Sequence, residues 1–181
     1  MAANYRAVLE ASADAPWLVM VHGMTQDHRV FSAQVAAFED RYRILLIDLP
    51  GHGLSADIPG PFGHIELAGH VGAAIEEAGI SRCRYWATHT GTALGLLLAA
   101  ERPARFSAMV LEGAVLPGHV MAIVDAELQR AREAARSEGV AETRRRWFDE
   151  GAWFDVMRRH PEACRAEAHW AIVAEFSGAP W

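Results

Sequence analysis

Four short apolar runs, separated by longer amphipathic stretches, dominate the first two thirds of the chain. They are "PWLVMVHG" (16–23), "YRILLIDLP" (42–50), "RCRYWAT" (82–88) and "SAMVLEGA" (107–114). Runs of this kind suit strands that are buried on both faces of a parallel sheet. The stretches between them have helical spacing, at about 27–39, 65–78 and 91–102. Alternating strands and helices predict an α/β fold, a parallel-sheet, three-layer α/β/α sandwich with helices on both faces.

The pattern changes after Gly118. The remaining residues are rich in alanine and charge and contain no strand candidate, and breaks are expected at Gly139, Gly151 and Pro161. This pattern predicts three or four helices. We therefore expect two units, a core over residues 1–118 and a helical cap or lid over residues 119–181.

Composition narrows the function classes. The 181 residues suggest one domain with a small appendage. Of these residues 51% are hydrophobic, which is enough to form a core, and disorder is not expected. The net charge of −6 argues against nucleic acid as a partner. All 17 basic residues are arginine, which excludes Schiff-base chemistry and a P-loop lysine.

Cysteine use and hydropathy bear on location. The chain has two cysteines, so no disulfide framework is implied. The first residues lack a signal-peptide pattern, and no apolar run is long enough to cross a bilayer. We expect a cytoplasmic protein that does not bind membranes.

Four motifs carry a resemblance to a known family. The segments "VHGMTQDHRVF", "DLPGHGLS", "THTGT" and "SAMVLEGA" stand in an order and at a spacing that resemble the α/β-hydrolase fold, over roughly residues 16–118. The resemblance implies an esterase-like hydrolase that acts on a small-molecule substrate, with neither a cofactor nor a metal. The roles that follow are implied by this resemblance.

In the family, the nucleophile lies in a sharp strand-to-helix turn, the nucleophile elbow, with the pattern G-x-S-x-G. The resemblance aligns this pattern with residues 88–92, so that Thr90 is the expected nucleophile. Three features depart from it: Thr88 and Thr92 replace the glycines, and Thr90 itself is β-branched, which makes a positive φ costly. Gly91 could shift the turn by one residue. The alternative is that Thr90 only makes a hydrogen bond in the turn.

The resemblance also implies the other residues of the site. The backbone N–H groups of Met24 and Gly91 would form the oxyanion hole. His22, Gly23 and His89 would shape the site, with the His89 side chain directed away from Thr90. Glu112 ends the strand after the elbow helix, where some members of the family place the catalytic acid.

The general base is missing. The family's histidine follows the last strand, and none of the nine histidines stands at that place. The chain therefore resembles a C-terminally truncated hydrolase, a fragment of a longer frame. The alternatives are a non-hydrolytic binding protein, a cofactor-free lyase, an inactive fragment, or a homo-oligomer in which another chain supplies the histidine.

Overall fold

The computed structural model describes residues 2–119 and 122–175, and five of the described segments pair in one sheet. They are β1 (Tyr5–Val8), β2 (Trp17–Val21), β3 (Arg43–Ile47), β4 (Cys83–Thr88) and β5 (Phe106–Glu112). The strand order is β1-β3-β2-β4-β5. Strands β2 to β5 are parallel, which confirms the predicted sheet. The antiparallel edge strand β1, which pairs with β3, was not predicted, so the sheet is mixed.

Among the described residues, three helices connect the strands and four more follow β5. They are α1 (Ser32–Phe38), α2 (His64–Glu77), α3 (Thr90–Glu101), α4 (Ala122–Glu138), α5 (Val140–Glu150), α6 (Asp155–Arg159) and α7 (Ala166–Glu175). The predicted breaks at Gly139 and Gly151 are present, and Gly139 has a φ of 91°. Of the predicted lid, residues 120–121 and 176–181 lie outside the described residues. Helix α3 begins at Thr90, one residue earlier than predicted.

Strand β2 shows how the layers form. Its side chains alternate between the two faces of the sheet. Val19 and Val21 join the apolar cluster that includes residues of α2 and α3. Leu18 and Met20 join a second cluster that contains Phe31 and, more peripherally, residues of α1. All four are buried, which explains why the strand reads as a continuous apolar run.

Strand β5 forms the edge of the sheet opposite β1. Four of its seven residues are exposed, and Val110 keeps 47% of its surface accessible. An edge strand offers unpaired backbone groups, and this one has little cover from helices. Among the helices that the structure describes, none combines the length and the hydropathy needed to cross a membrane.

Helix α7 and Arg165, the residue before it, make polar contacts with the core. The Arg29 guanidinium donates to the buried carboxylate of Asp27 and also to Glu175 in α7, with N···O distances of 2.6 Å in both cases. Arg165 donates to the Ser32 hydroxyl, 2.9 Å away. The helical segment of residues 122–175 is therefore tied to the loop that follows β2.

Candidate active site

The turn between β4 and α3 has its strained residue at His89. This residue has φ 46° and ψ −118°, a conformation that non-glycine residues rarely adopt. Thr88 is the last residue of β4 and Thr90 the first of α3. The prediction that Thr90 occupies the strained position is therefore wrong. The turn is shifted by one residue toward the N-terminus, to His89, and not toward Gly91, which has no positive φ.

Small residues flank His89 at the two positions that an elbow requires. Ala87 is fully buried two residues before it, and Gly91 follows two residues after it. A β-carbon on Gly91 would lie 2.4 Å from the carbonyl oxygen of Val21. The close approach of strand and helix therefore needs a glycine at Gly91. Centred on His89, the motif has a small residue at both flanking positions. It departs from the family pattern by an alanine in place of the first glycine and by an imidazole in place of the hydroxyl.

Backbone and hydroxyl contacts hold the strained turn in place. The His89 N–H donates to the Glu112 carbonyl at 2.9 Å, which fastens the apex to the end of β5. The His89 carbonyl accepts both from the Thr92 N–H, at 2.9 Å, and from the Thr92 hydroxyl, at 2.5 Å. The same hydroxyl accepts from the Val115 N–H at 2.8 Å. The Thr92 hydroxyl therefore connects the elbow to the segment after β5.

His89 is an exposed residue, although its ring is partly desolvated, whereas Thr90 is only 4% exposed. His89 Nδ1 lies 3.2 Å from Thr90 Oγ1, so the expectation that the ring points away from Thr90 is wrong. Partial desolvation of the ring, together with the nearby His64, lowers the pKa of His89 below its ordinary value. The imidazole is therefore neutral at pH 7 and has one lone pair to offer.

The loop after β2 lies against this apex. A β-carbon on Gly23 would come within 2.7 Å of the His89 β-carbon. Gln26 Oε1 accepts from the Gly23 N–H at 3.0 Å and from the Thr88 hydroxyl at 3.1 Å, which links the loop to the end of β4. Within the described residues, the N–H groups of Met24, Thr90 and Gly91 have no hydrogen-bond acceptor. They are thus available as donors beside His89.

Two buried histidines support this loop. His22 Nε2 accepts from the Leu49 N–H at 3.0 Å, and its Nδ1 lies 2.7 Å from the Gly23 carbonyl. His52 Nε2 accepts from the Thr25 N–H at 3.1 Å, while its Nδ1 lies 2.9 Å from the Pro50 carbonyl. A ring that accepts through Nε2 and donates through Nδ1 is neutral.

Electrostatics favour the same neutral state. Burial lowers the pKa of His22, although the nearby Asp48 opposes the shift. Burial, reinforced by His22, lowers the pKa of His52 to about 3. Protonation would turn each Nε2 into a donor that faces another donor. These contacts show how His22 and His52 hold the loop after β2 in place. That His22 and Gly23 shape a catalytic site stays a prediction.

Asp48 anchors the other side of the loop. It is fully buried, and it accepts from the His28 N–H at 2.6 Å, from His28 Nδ1 at 2.7 Å and from the Leu54 N–H at 2.8 Å. Burial favours a raised pKa for this carboxyl, but the bonds from His28, the nearby His22 and the Leu54 N–H outweigh it and keep the pKa low. The hydrogen bond to Asp48 in turn raises the pKa of His28.

The ligand atoms of Asp27, His28 and Asp48 all lie within 4.8 Å of one another, as in some metal sites. Asp27, however, accepts from the backbone and the guanidinium of Arg29, and Asp48 is bonded as described above. These atoms already have hydrogen-bond partners, so the arrangement is a buried ion-pair network.

Glu112 is exposed and makes no side-chain hydrogen bond or ion pair with the residues that the structure describes. Its backbone carbonyl, rather than its carboxylate, contacts the elbow. The acid role of Glu112 therefore stays a prediction.

Comparisons with known proteins agree with this geometry. Residues 16–151 match the model of the α/β hydrolase fold family. The chain is 25% identical over 151 residues to 3-oxoadipate enol-lactonase 2 of Acinetobacter baylyi, covering 83% of this chain and 56% of that protein. It is 28% identical over 171 residues to 2-succinyl-6-hydroxy-2,4-cyclohexadiene-1-carboxylate synthase of Yersinia pseudotuberculosis, covering 88% of this chain and 61% of that protein. The chain thus spans less than two thirds of these curated relatives.

Solved structures show the same fold. A hydrolase from Pseudomonas aeruginosa superposes with a TM-score of 0.76 at 21% identity, covering 97% of this chain and 67% of the other. The enol-lactonase from Burkholderia xenovorans gives a TM-score of 0.73 at 24% identity, covering 98% and 70%. Since the matched segment is three quarters of the chain and contains the four parallel strands, the elbow and the loop after β2, the chain belongs to the α/β-hydrolase fold family.

Proposed function

We propose that this protein hydrolyses an ester or a related acyl bond of a small molecule, and that His89 is the residue that reacts. The observation that carries the proposal is the backbone of His89, φ 46° and ψ −118°, at the junction of β4 and α3. In this fold the strained turn presents the reacting side chain above the sheet. The exposed ring fits that role better than the buried hydroxyl of Thr90.

Histidine forms covalent intermediates in some enzymes, and a neutral imidazole is nucleophilic without a separate base. In the tautomer with its proton on Nδ1, the ring of His89 donates to Thr90 Oγ1, and Nε2 keeps its lone pair for the substrate. Thr90 is then a positioning residue that fixes the tautomer. A histidine from another chain is not needed, because the elbow itself supplies the imidazole.

Two backbone donors complete the proposed site. With His89 as the apex, the N–H that follows it belongs to Thr90, which replaces Gly91 in the role predicted from the sequence. Met24 keeps its predicted role as the second donor. N–H groups that point at the acyl oxygen stabilise the charge that develops there, and the loss of one such donor costs about 10²- to 10³-fold in rate.

The helical segment of residues 122–175 is proposed as the lid of this site. One link to the core runs through Arg29, which pairs with Asp27 in the loop that also carries Met24 and with Glu175 in α7. Glu112 would act as an acid only if its exposed carboxylate turned toward the elbow.

A second candidate is a non-hydrolytic reaction, such as that of a cofactor-free lyase. It is favoured by the missing hydroxyl at the apex and by the relative that bears a synthase name. His89 would then remove a proton from the substrate, and the same N–H groups would hold the resulting enolate. Consumption of acyl substrates without release of a carboxylic acid would favour this candidate.

The test compares hydrolysis of p-nitrophenyl acetate by the wild type, His89→Asn and Thr90→Ala, with His160→Asn as a control at an exposed histidine on the helical segment. We expect His89→Asn to lose about 10²-fold or more, the scale typical of a lost catalytic side chain. Thr90→Ala should keep more than a tenth of the rate, and His160→Asn should keep it all. Full loss in Thr90→Ala, with activity kept in His89→Asn, would return the nucleophile to Thr90.

A further inference from the structure

The residue at the apex limits which acyl compounds can react. We infer that the substrate is an activated acyl compound, an enol ester, an aryl ester or a thioester, rather than an ester of an ordinary alcohol. This inference rests on the proposed function, because it takes His89 as the nucleophile of an acyl transfer.

The limit comes from how the tetrahedral intermediate breaks down. After attack, either the imidazole or the substrate's leaving group departs, and the group whose conjugate acid has the lower pKa leaves faster. Imidazole has a reference pKa of about 6.5, a thiol about 8.5 and a phenol about 10, whereas water, which resembles an alcohol, has about 15.7. Imidazole is therefore expelled from an alkyl ester long before the alkoxide leaves. A serine nucleophile does not face this limit, since it is itself an alcohol.

The surroundings of His89 point the same way. Charge–charge interactions with His89 come from His64 among the described residues, and no carboxylate pairs with its ring. The base of a Ser-His-Asp triad, in contrast, is held by a buried carboxylate that stabilises the protonated ring. His89 has no such partner among the described residues. No protonated ring is therefore held in place to give its proton to a departing alkoxide.

The reaction balances with water as the second reactant. The Nε2 lone pair bonds to the acyl carbon, and the carbonyl electron pair moves onto the oxygen held by the N–H groups of Met24 and Thr90. When the carbonyl re-forms, the bond to the leaving group breaks, and that group departs as an enolate, phenolate or thiolate. Water then adds to the acyl carbon, Nε2 leaves with its electron pair, and the two protons of water end on the carboxyl product and the leaving group.

The test is a leaving-group series measured on the 181-residue protein. Phenyl acetate and cyclohexyl acetate form a matched pair, because both carry a six-membered ring and the same acyl group but differ greatly in leaving-group pKa. The difference between a phenol and an alcohol is about 6 pKa units. With a Brønsted slope of about 0.5, kcat/KM should be roughly 10³-fold higher for phenyl acetate. S-phenyl thioacetate should also be a good substrate.

The outcomes separate the inference from the proposed function. Hydrolysis of cyclohexyl acetate within tenfold of phenyl acetate would overturn the inference and leave the proposed function standing. If p-nitrophenyl acetate is cleaved no faster by the wild type than by His89→Asn or His89→Gly, the proposed function falls and the inference falls with it. The glycine variant relieves the positive φ, so it guards against a result that reflects misfolding.

Discussion

Gly91 and Gly69 offer a matched test of where the elbow lies. Both are helical glycines, in α3 and α2 respectively. A β-carbon on Gly69 would meet nothing within 4 Å, whereas one on Gly91 would lie 2.4 Å from the Val21 oxygen and 2.7 Å from the His22 oxygen. Ordinary contacts begin at 3.4 Å, so α3 or the end of β2 would have to move by about 1 Å.

The expected magnitudes follow from these distances. Alanine in place of an exposed helical glycine gains about 0.5–1 kcal/mol, so Gly69→Ala should be stabilising. At Gly91 the same gain opposes an overpacking cost of about 1–3 kcal/mol, and the cost should lie at the upper end because the obstructing atoms are backbone. We expect Gly91→Ala to be less stable than Gly69→Ala by about 2–3 kcal/mol.

Urea unfolding, followed by circular dichroism, measures the difference as a shift of the midpoint at constant m-value. The reasoning is refuted if the two variants have the same free energy of unfolding within about 0.5 kcal/mol, the usual range for an unremarkable surface change. Close packing at Gly91 would then be absent, and the elbow would not be centred on His89.

Three further predictions concern buried polar contacts. Thr92→Val leaves the Val115 N–H without its acceptor and should cost about 2 kcal/mol in urea unfolding, whereas Thr92→Ser should cost about 1; equal losses would contradict the hydroxyl's role. Because the pKa of His52 is about 3 in the folded protein, against about 6.5 unfolded, the unfolded state takes up an extra proton as the pH falls between these values. The free energy of unfolding should therefore decrease as the pH is lowered through that window. Measured at pH 7 and at pH 5, it should decrease less for His52→Gln than for the wild type. An equal decrease in the two proteins would contradict the neutral ring. The side chain of Glu175 is 63% exposed and that of Asp27 is 2% exposed. Glu175→Gln should therefore change the free energy of unfolding by less than about 0.5 kcal/mol, and Asp27→Asn should lower it by about 2 kcal/mol or more. The reverse order would contradict the burial of Asp27.

The sequence predicts the sheet well because its central strands are buried on both faces. Runs such as Trp17–Val21 and Arg43–Ile47 contain little besides apolar residues, and nothing else in the chain competes for those places. Strand β1, in contrast, has four residues and none of them is buried, so "YRAV" carries no clear pattern. Its pairing depends on β3, which hydropathy along the chain does not reveal.

The register of the elbow is harder to predict, since two alignments of the motif differ by one residue. An alignment that seeks a hydroxyl selects Thr90. An alignment that seeks small neighbours selects His89, with Ala87 and Gly91 at the flanking positions. The structure follows the second because the close approach of strand and helix is a steric demand, whereas the identity of the apex side chain is not. The small residues Ala87 and Gly91 were therefore the feature of the sequence from which the position of the elbow could have been predicted.

The buried histidines show a different limit. His22 and His52 are far apart in sequence, and their rings lie 5.1 Å apart because β2 and β3 are neighbours in the sheet. Sequence spacing places each in a turn, but it gives no information on which N–H a ring nitrogen accepts from. The role of the two histidines in holding the loop after β2 is therefore visible in the structure and could not be predicted from the sequence.

The most direct test of the account is to find where the acyl group goes. The protein would be mixed with p-nitrophenyl acetate, quenched within the first turnover, digested and analysed by mass spectrometry, with Thr90→Ala treated in parallel. The account predicts an acetyl group on His89 in both proteins, removed by neutral hydroxylamine as expected for an acylimidazole. A hydroxylamine-stable acetyl ester on Thr90, absent from Thr90→Ala, would contradict it.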